Sequence, residues 1–271
     1  MTAGGELVNV PLHRHDITID LSRIEFEARY GVTDRWQAAL RIPYERKDQS
    51  VAINAIDPAT PEEIAAMRRN GDIHHRDESY TGFSDFSLLA QTAFSDLVRE
   101  HDGLRVGFGT TIPVGRTEED PWKLGEAGEE HLHIQFGTGT FDPIAEMNYA
   151  TPVGAGFTAN GFVSTRLPVY ENDKTYRGSR EITAMAGLAR AAGPVGLRAN
   201  YLFFRQGASA WDGERDKNSG LVSHSVMFGA SYRVGPTALG VDVRIPVSQR
   251  LLADEEDAFE QGVGVMVRVG I

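Results

Sequence analysis

The last nine residues of the chain, Val263-Gly264-Val265-Met266-Val267-Arg268-Val269-Gly270-Ile271, guide the interpretation of the whole sequence. Every odd position holds valine or isoleucine, and the even positions hold glycine, methionine or arginine. Successive side chains of a β-strand point to opposite faces, so this alternation predicts a strand with one apolar face and one face of mostly small or charged residues. Segments 36–44 and 239–247 repeat the same pattern.

Eight further segments also have the character of strands. They are 16–32, 86–94, 104–113, 131–150, 157–168, 181–190, 196–205 and 222–233. In segment 16–32 the apolar parity changes between Leu21 and Ile24, which predicts a bulge near Ser22 and Arg23. In segment 131–150 the glycines and proline of 137–143 predict a bend.

The connections between these eleven segments alternate in length. The short ones are 31–34, 95–103, 151–156, 191–195 and 235–236, and the long ones are 46–83, 114–130, 170–180, 206–220 and 248–261. This layout predicts an all-β, antiparallel, up-and-down transmembrane β-barrel with short periplasmic turns and long extracellular loops. Single-chain bacterial barrels have an even strand number, so we expect about twelve strands in one domain over 1–271. Segment 6–10, or sequence upstream of Met1, would supply the twelfth.

Two local signals refine this prediction. Thr60, Pro61 and Glu63 form the capping pattern of a helix start, which predicts a short loop helix near 61–70. Four related tetrapeptides place Ile or Leu before proline where a strand enters a long loop, and proline suits a rim where pairing stops. They are 41–44, 111–114, 166–169 and 244–247.

The second face of the predicted strands favours a membrane barrel over a soluble one. It is rich in small residues and carries charges of both signs, while aromatic residues such as Tyr30, Trp36 and Tyr232 lie near strand ends on the apolar parity. Its predicted lumen-lining residues are Arg29, Arg41, Arg105, Glu146, Arg166, Arg198, Asp242, Arg244 and Arg268. The alternative is a soluble all-β protein whose charged face is wet and whose apolar face is internal.

With Glu25 and Glu27 included, the predicted lumen contains seven arginines and four acidic residues. An excess of arginine favours anionic solutes through the electrostatic potential of the lining. Alternatively, the arginines tie neighbouring strands together through ion pairs and plug the pore. A barrel of about twelve strands is narrower than the porins of 16–18 strands, so we expect a narrow or partly plugged lumen.

Composition excludes several classes of protein. The chain has 271 residues, a formal net charge of −11 and no cysteine. A nucleic-acid partner needs a basic face, and disulfides, thiolate metal sites and cysteine nucleophiles need cysteine. No segment has eighteen consecutive apolar residues, so the sequence predicts no transmembrane helix. Residues 1–11 lack the basic start and apolar run of a secretory signal, so we expect Met1 to begin a mature or truncated chain.

Several motifs resemble those of a bacterial outer-membrane family, the group named for a meta-pathway of phenol degradation and related transporter-like barrels. They are Tyr30-Gly31-Val32-Thr33-Asp34-Arg35-Trp36 followed by Arg41-Ile42-Pro43-Tyr44, then Gly82-Phe83-Ser84-Asp85-Phe86, segment 107–115, and segment 135–143. The resemblance covers residues 24–170 and extends to the remainder by pattern. It implies an outer-membrane location and passage of small molecules, hydrophobic ones included. It implies no catalytic residue.

Among candidate sites, His131 and His133 share one strand parity, so their imidazoles could bind one metal ion. Two histidines at a wet lumen rim are the favoured interpretation. His224 lies between Ser223 and Ser225 on opposite faces, and no Gly-x-Ser-x-Gly motif is present, so the sequence does not predict a hydrolase. Nor does it predict a cofactor.

The functional hypothesis is therefore passive passage of small solutes across a bacterial outer membrane, with hydrophobic and anionic solutes as candidate classes. The expected partners are outer-membrane lipid, lipopolysaccharide and the small-molecule solute. One alternative is a closed structural or binding barrel whose long loops hold partners. The soluble all-β protein is the other.

Overall fold

A computed structural model describes residues 10–74, 76–132, 134–252 and 259–271. The elements in chain order are β1 (His13–Gly31), β2 (Trp36–Ala55), α1 (Pro61–His74), β3 (Glu78–Phe83), β4 (Phe86–Ser95), β5 (Gly103–Ile112), α2 (Pro121–Ala127), β6 (Pro143–Gly154), β7 (Phe157–Arg166), β8 (Tyr176–Arg177), β9 (Glu181–Ala192), β10 (Val195–Gln206), β11 (Ala210–Trp211), β12 (Glu214–Arg215), β13 (Leu221–Val234), β14 (Thr237–Leu251) and β15 (Gly264–Gly270).

One antiparallel sheet contains all of the long strands. Its order is β1-β2-β4-β5-β6-β7-β9-β10-β13-β14-β15, and β3 pairs with the upper part of β2 so that it continues the line of β4. Each strand thus pairs with its sequence neighbour, as in an up-and-down barrel, with short turns on one rim and long connections on the other. The predicted all-β antiparallel fold is confirmed. In the described sheet β1 and β15 are the edges, and residues 6–9 of the predicted twelfth strand lie outside the described residues.

The two faces of this sheet differ in exposure in strands such as β9, β10 and β14, whereas both faces of the edge strands β1 and β15 are largely exposed. In β14 the side chain of Asp242 is 1% exposed, whereas its neighbour Val241 is 46% exposed. The strand register shows which residues of the neighbouring strands share each face. Val241 is opposite Ala230 and Val267, and Asp242 is opposite Gly229 and Met266. We call the apolar, exposed face the outer face and the face that carries Asp242 the inner face. A soluble barrel would have the reverse arrangement.

The predicted bulge in the first strand is wrong, as the pairing of the first hairpin shows. β1 and β2 keep one register from His13 opposite Ala55 to Gly31 opposite Gln37, so the strand contains no bulge at Ser22 or Arg23. The change of apolar parity is instead a change of face. From Ile24 to Tyr30 the apolar side chains lie on the outer face, and from Ile17 to Leu21 they lie on the inner face. Between Ile24 and the long-loop rim, the outer face of this hairpin is therefore polar.

Several strand boundaries also differ from the prediction. β2 and β14 continue past Pro43 and Pro246, to Ala55 and Leu251. Both prolines lie where pairing changes: β2 passes there from β4 to β3, and β14 has a bulge opposite the His224–Ser225 step. Segment 131–142 forms no strand in its described residues, and β6 begins only at Pro143.

Helices and loops gather at the rim of the long connections. The predicted loop helix is confirmed as α1, where Glu63 accepts a hydrogen bond from the Thr60 backbone N–H at 2.8 Å and the Thr60 hydroxyl accepts one from the Glu63 N–H at 3.3 Å. α1 lies close to β2, because Gly71 leaves room for the side chain of Ile53. Helix α2 and the small sheet β12-β11-β8 were not predicted. Within the described ranges, neither helix has the length and apolar character required to cross a membrane.

At the opposite rim, Asp102 organises the turn between β4 and β5. Its carboxylate accepts hydrogen bonds from the backbone N–H groups of Leu97, Val98 and Arg99 at 2.8–2.9 Å, and from the Tyr149 hydroxyl at 2.8 Å. Burial raises the pKa of Asp102, but these hydrogen bonds outweigh that effect and lower the pKa to about 2.

Candidate functional site: the inner face

All nine predicted lumen-lining residues lie on the inner face, as the strand registers show. The first cluster among them is centred on Arg41 of β2. Its Nε donates to Glu27 at 2.8 Å, and its two terminal nitrogens donate to Glu146 of β6 at 2.5 and 2.9 Å. Arg29 forms a further ion pair with Glu27 at 2.5 Å.

The contact between Arg41 and Glu146 also shows that the sheet is curved. β4 and β5 separate β2 from β6, so a flat sheet would hold these strands roughly 14 Å apart at about 4.8 Å per spacing. The two side chains meet over the inner face because the sheet curls towards it. The inner face is therefore the concave side of a barrel wall.

The second cluster is centred on Asp242 of β14. Nε and Nη2 of Arg198 each donate to a different carboxylate oxygen of Asp242 at 2.6 Å, and Arg268 Nη2 lies 2.6 Å from the second oxygen. β13 runs between β10 and β14, and it places Gly229 directly beneath the Arg198–Asp242 contact. A Cβ atom at Gly229 would overlap both side chains, so this glycine is what lets the pair form.

A third pair lies at the long-loop rim, where Arg166 Nη2 donates to Glu181 at 2.6 Å. Glu181 is on the inner face, as is Glu45, which pairs with Arg23 at 3.1 Å and Lys47 at 3.3 Å. Neither acid was among the predicted lumen residues. The alternation of β9 contained the signal for Glu181, while Glu45 follows the predicted end of its strand.

Arg105 and Arg244 differ from the other inner arginines. Neither forms an ion pair or side-chain hydrogen bond with any residue in the described ranges. Arg105 is exposed and Arg244 is half-buried. The inner face therefore offers fewer unpaired positive charges than the sequence indicated, because acids among the described residues neutralise most of the predicted arginines.

The inner face also carries an apolar row that the sequence analysis did not single out. Phe162 of β7, Met185 of β9 and Leu202 of β10 are directly opposite one another in the register. All three are half-buried. The inner wall is thus mixed, with charged clusters around Arg41 and Asp242 and an apolar stretch between them.

Segment 134–142 crosses the inner side at the long-loop rim. At one end, Lys47 of β2 donates to the Gln135 carbonyl at 2.8 Å and lies 4.5 Å from the centre of the Phe136 ring. At the other end, the Asp142 N–H donates to the Thr111 hydroxyl of β5 at 2.8 Å. Asn172 of the next long loop donates to the Thr138 carbonyl at 3.0 Å. The segment therefore narrows the space enclosed by the wall.

Two carboxylates anchor this segment. Asp85, at the break between β3 and β4, accepts from the Thr138 N–H at 2.7 Å and from the Gly115 N–H at 3.0 Å. The Thr138 hydroxyl lies 3.0 Å from Asp85 Oδ2 and 2.9 Å from Asp142 Oδ2. Asp142 is fully buried and Asp85 nearly so. Strand pairing therefore gives way here to a side-chain network, which explains why the predicted strand 131–150 starts late.

Of the two histidines in the predicted metal pair, the structure describes His131. His131 is buried, and its Nδ1 lies 2.9 Å from the carbonyl oxygen of Glu129. His133 lies outside the described residues. Among the described residues, no group of three or more His, Asp or Glu side chains is arranged to hold a metal ion.

Comparison with known proteins supports the architecture. No protein-family model matches the sequence, and no curated protein sequence matches it significantly. Among solved structures, the chain is similar to an outer-membrane channel from Pseudomonas putida F1, with a TM-score of 0.57 and 12% sequence identity. The match covers 93% of this chain and 82% of the channel. At this identity the likeness shows a shared fold, that of an antiparallel β-barrel wall.

Proposed function

We propose that the protein is an outer-membrane barrel that lets small solutes pass passively, without covalent chemistry. The observation that carries the proposal is the inverted polarity of the wall, apolar outside and charged inside. Val241 and Asp242 are adjacent in the chain, yet one is 46% exposed and the other 1%. An exposed apolar band is stable against hydrocarbon and unfavourable against water.

The position of the apolar band is consistent with a membrane. On the outer face of the first hairpin, apolar side chains end at Ile24 and Tyr44, above which Ser22, Arg46 and Asp48 take their place. Aromatic rings lie at this level, where Tyr44 packs edge-on against Phe83 with ring centres 5.2 Å apart. Aromatic girdles at the lipid–water boundary are typical of membrane barrels.

The motif resemblance over residues 24–170 and the fold shared with a channel support the same proposal. They favour the outer membrane of a Gram-negative bacterium as its location. A chain embedded in this way needs detergent for extraction and migrates differently on a gel before and after heating. Extraction into plain buffer with unchanged migration would contradict the location.

Two features of the inner face favour particular solutes. Arg105 and Arg244 supply positive charge that no described acid neutralises, and the row of Phe162, Met185 and Leu202 offers an apolar surface. A solute with an anionic group and an apolar body matches both. Long-range attraction by arginine raises the local concentration of anions in a narrow path.

Planar-bilayer recording tests the charge selectivity. The wild-type barrel is expected to conduct and to prefer anions, measured as the reversal potential across a salt gradient. Replacing both Arg105 and Arg244 with Gln should reduce that preference. Arg14→Gln is the matched control, because Arg14 lies on the outer face of the first hairpin, paired with Asp16, and should leave selectivity unchanged. An unchanged reversal potential in the double variant contradicts the role of these arginines.

A closed binding or structural barrel is the second candidate, favoured by the ion pairs and by segment 134–142 on the inner side. It predicts correctly folded protein that inserts into bilayers and shows no conductance. The long loops would then hold the partner.

A further inference from the structure

The outer face carries two exposed arginines at the long-loop rim. Arg205 of β10 and Arg250 of β14 are both directly opposite Val222 of β13, one on each side. At about 4.8 Å per strand spacing, their Cα atoms lie roughly 10 Å apart on one face. Both side chains are exposed, and neither forms an ion pair with a described residue. Two guanidinium groups can therefore converge on one anion above Val222.

A histidine and a tyrosine lie just below this pair on the same face. His224 is the next outer-face residue along β13, opposite Phe203 and Ser248. Its Nδ1 is hydrogen-bonded to the hydroxyl of Tyr201, which fixes the orientation of the ring. Polar groups of this kind are costly in hydrocarbon, so their position marks the level where the apolar band meets polar surroundings.

An apolar groove of about 340 Å³ lies lower on the same face. Its lining includes Met147, Tyr149, Val163, Ala186, Tyr201 and Phe203. Small residues form its floor, because Gly161 and Ala184 lie between the larger side chains of the flanking strands. Tyr201 and Phe203 belong both to the groove and to the surroundings of His224. The groove and the two arginines are thus successive parts of one surface.

We propose that this surface is a binding site for a phosphorylated acyl lipid, with a phosphate on Arg205 and Arg250 and an acyl chain in the groove. Guanidinium groups bind phosphate through paired, charge-assisted hydrogen bonds. A free anion would use only the arginines and leave the groove without a role. The inference rests on the proposed function in one respect, the orientation of the barrel. With the long loops outside the cell, this surface faces the outer leaflet of the outer membrane. The lipid of that leaflet is the phosphorylated lipid A of lipopolysaccharide.

Native mass spectrometry of the detergent-solubilised full chain tests the site. The probes are phosphorylated lipid A, the same lipid with its phosphates removed, and inorganic phosphate as a competitor. We expect the wild type to retain phosphorylated lipid A and to bind the phosphate-free form weakly. Arg205→Gln together with Arg250→Gln should weaken binding by about tenfold or more, as expected for lost charge-assisted hydrogen bonds. Arg190→Gln is the matched control, since Arg190 is on the outer face near the opposite rim.

The outcomes separate this site from the channel proposal. Equal retention of lipid A by wild type and double variant, or equal binding of the phosphate-free lipid, overturns the site. Displacement by millimolar inorganic phosphate with no effect of acyl chains would identify a free-anion site instead and also overturns it. Heat-modifiable migration confirms that each variant is folded. The double variant should conduct like the wild type in phosphatidylcholine bilayers. A wild type that retains lipid A but shows no conductance counts against the channel alone.

Discussion

Replacing Asp242 with Asn tests whether the inner-face clusters stabilise the wall. Asparagine keeps the shape of the side chain and removes the charge that two arginines share. Breaking a buried ion pair costs roughly 3–5 kcal/mol, and breaking an exposed pair costs about 0–1 kcal/mol. Asp242 is 1% exposed, but Arg198 and Arg268 are 26% and 46% exposed and recover part of their hydration. An intermediate loss of about 2 kcal/mol in the free energy of unfolding is therefore expected.

The measurement is reversible urea unfolding in detergent micelles, followed by tryptophan fluorescence. Asp20→Asn is the control, because Asp20 is exposed on the outer face of the first hairpin, and its replacement should change stability by less than about 0.5 kcal/mol. Combining Asp242→Asn with Arg198→Gln in a double-mutant cycle isolates the pair itself. A loss below about 0.5 kcal/mol, with no coupling in the cycle, would refute the idea that this cluster holds β10, β14 and β15 together.

Three further changes follow from the same geometry. Gly229→Ala should separate Arg198 from Asp242 and lower the urea midpoint, whereas an unchanged midpoint would show that the wall adjusts at no cost. Thr138→Val should remove the bridge between the two anchoring carboxylates and speed hydrogen exchange in segment 134–142, and equal exchange rates would contradict its anchoring role. Asp102 has a pKa of about 2 against an ordinary 3.8, so its stabilisation is present above pH 3.8 and is lost as pH falls towards 2. Asp102→Asn should abolish that part of the acid sensitivity, measured by unfolding in acidic buffers.

Local alternation in the sequence accounts for most of the wall. A strand exposes alternate side chains to opposite faces, so the parity of Val265 and Arg268, or of Val241 and Asp242, fixes which residues share a face. All nine predicted lumen residues consequently lie on one face. The predicted boundaries agree well with β4, β5, β9 and β10 for the same reason.

The loops and the upper hairpin were predicted less well, because distant contacts set their conformation. Segment 134–142 alternates only weakly, and its path depends on Asp85, Thr111 and Lys47, which are remote in sequence. The parity change in β1 has two local explanations, a bulge or a change of face. Only the register against β2 distinguishes them.

The amino-acid sequence by itself determined the antiparallel alternation, the alternating lengths of the connections, and the set of side chains that share each face. These properties depend on neighbouring residues and on the two-residue period of a strand. The tertiary structure alone decided which face is enclosed, which acids neutralise which arginines, and how the loop after β5 narrows the interior. Those outcomes depend on the curl of the sheet, which brings together Arg41 and Glu146 from strands that are not neighbours.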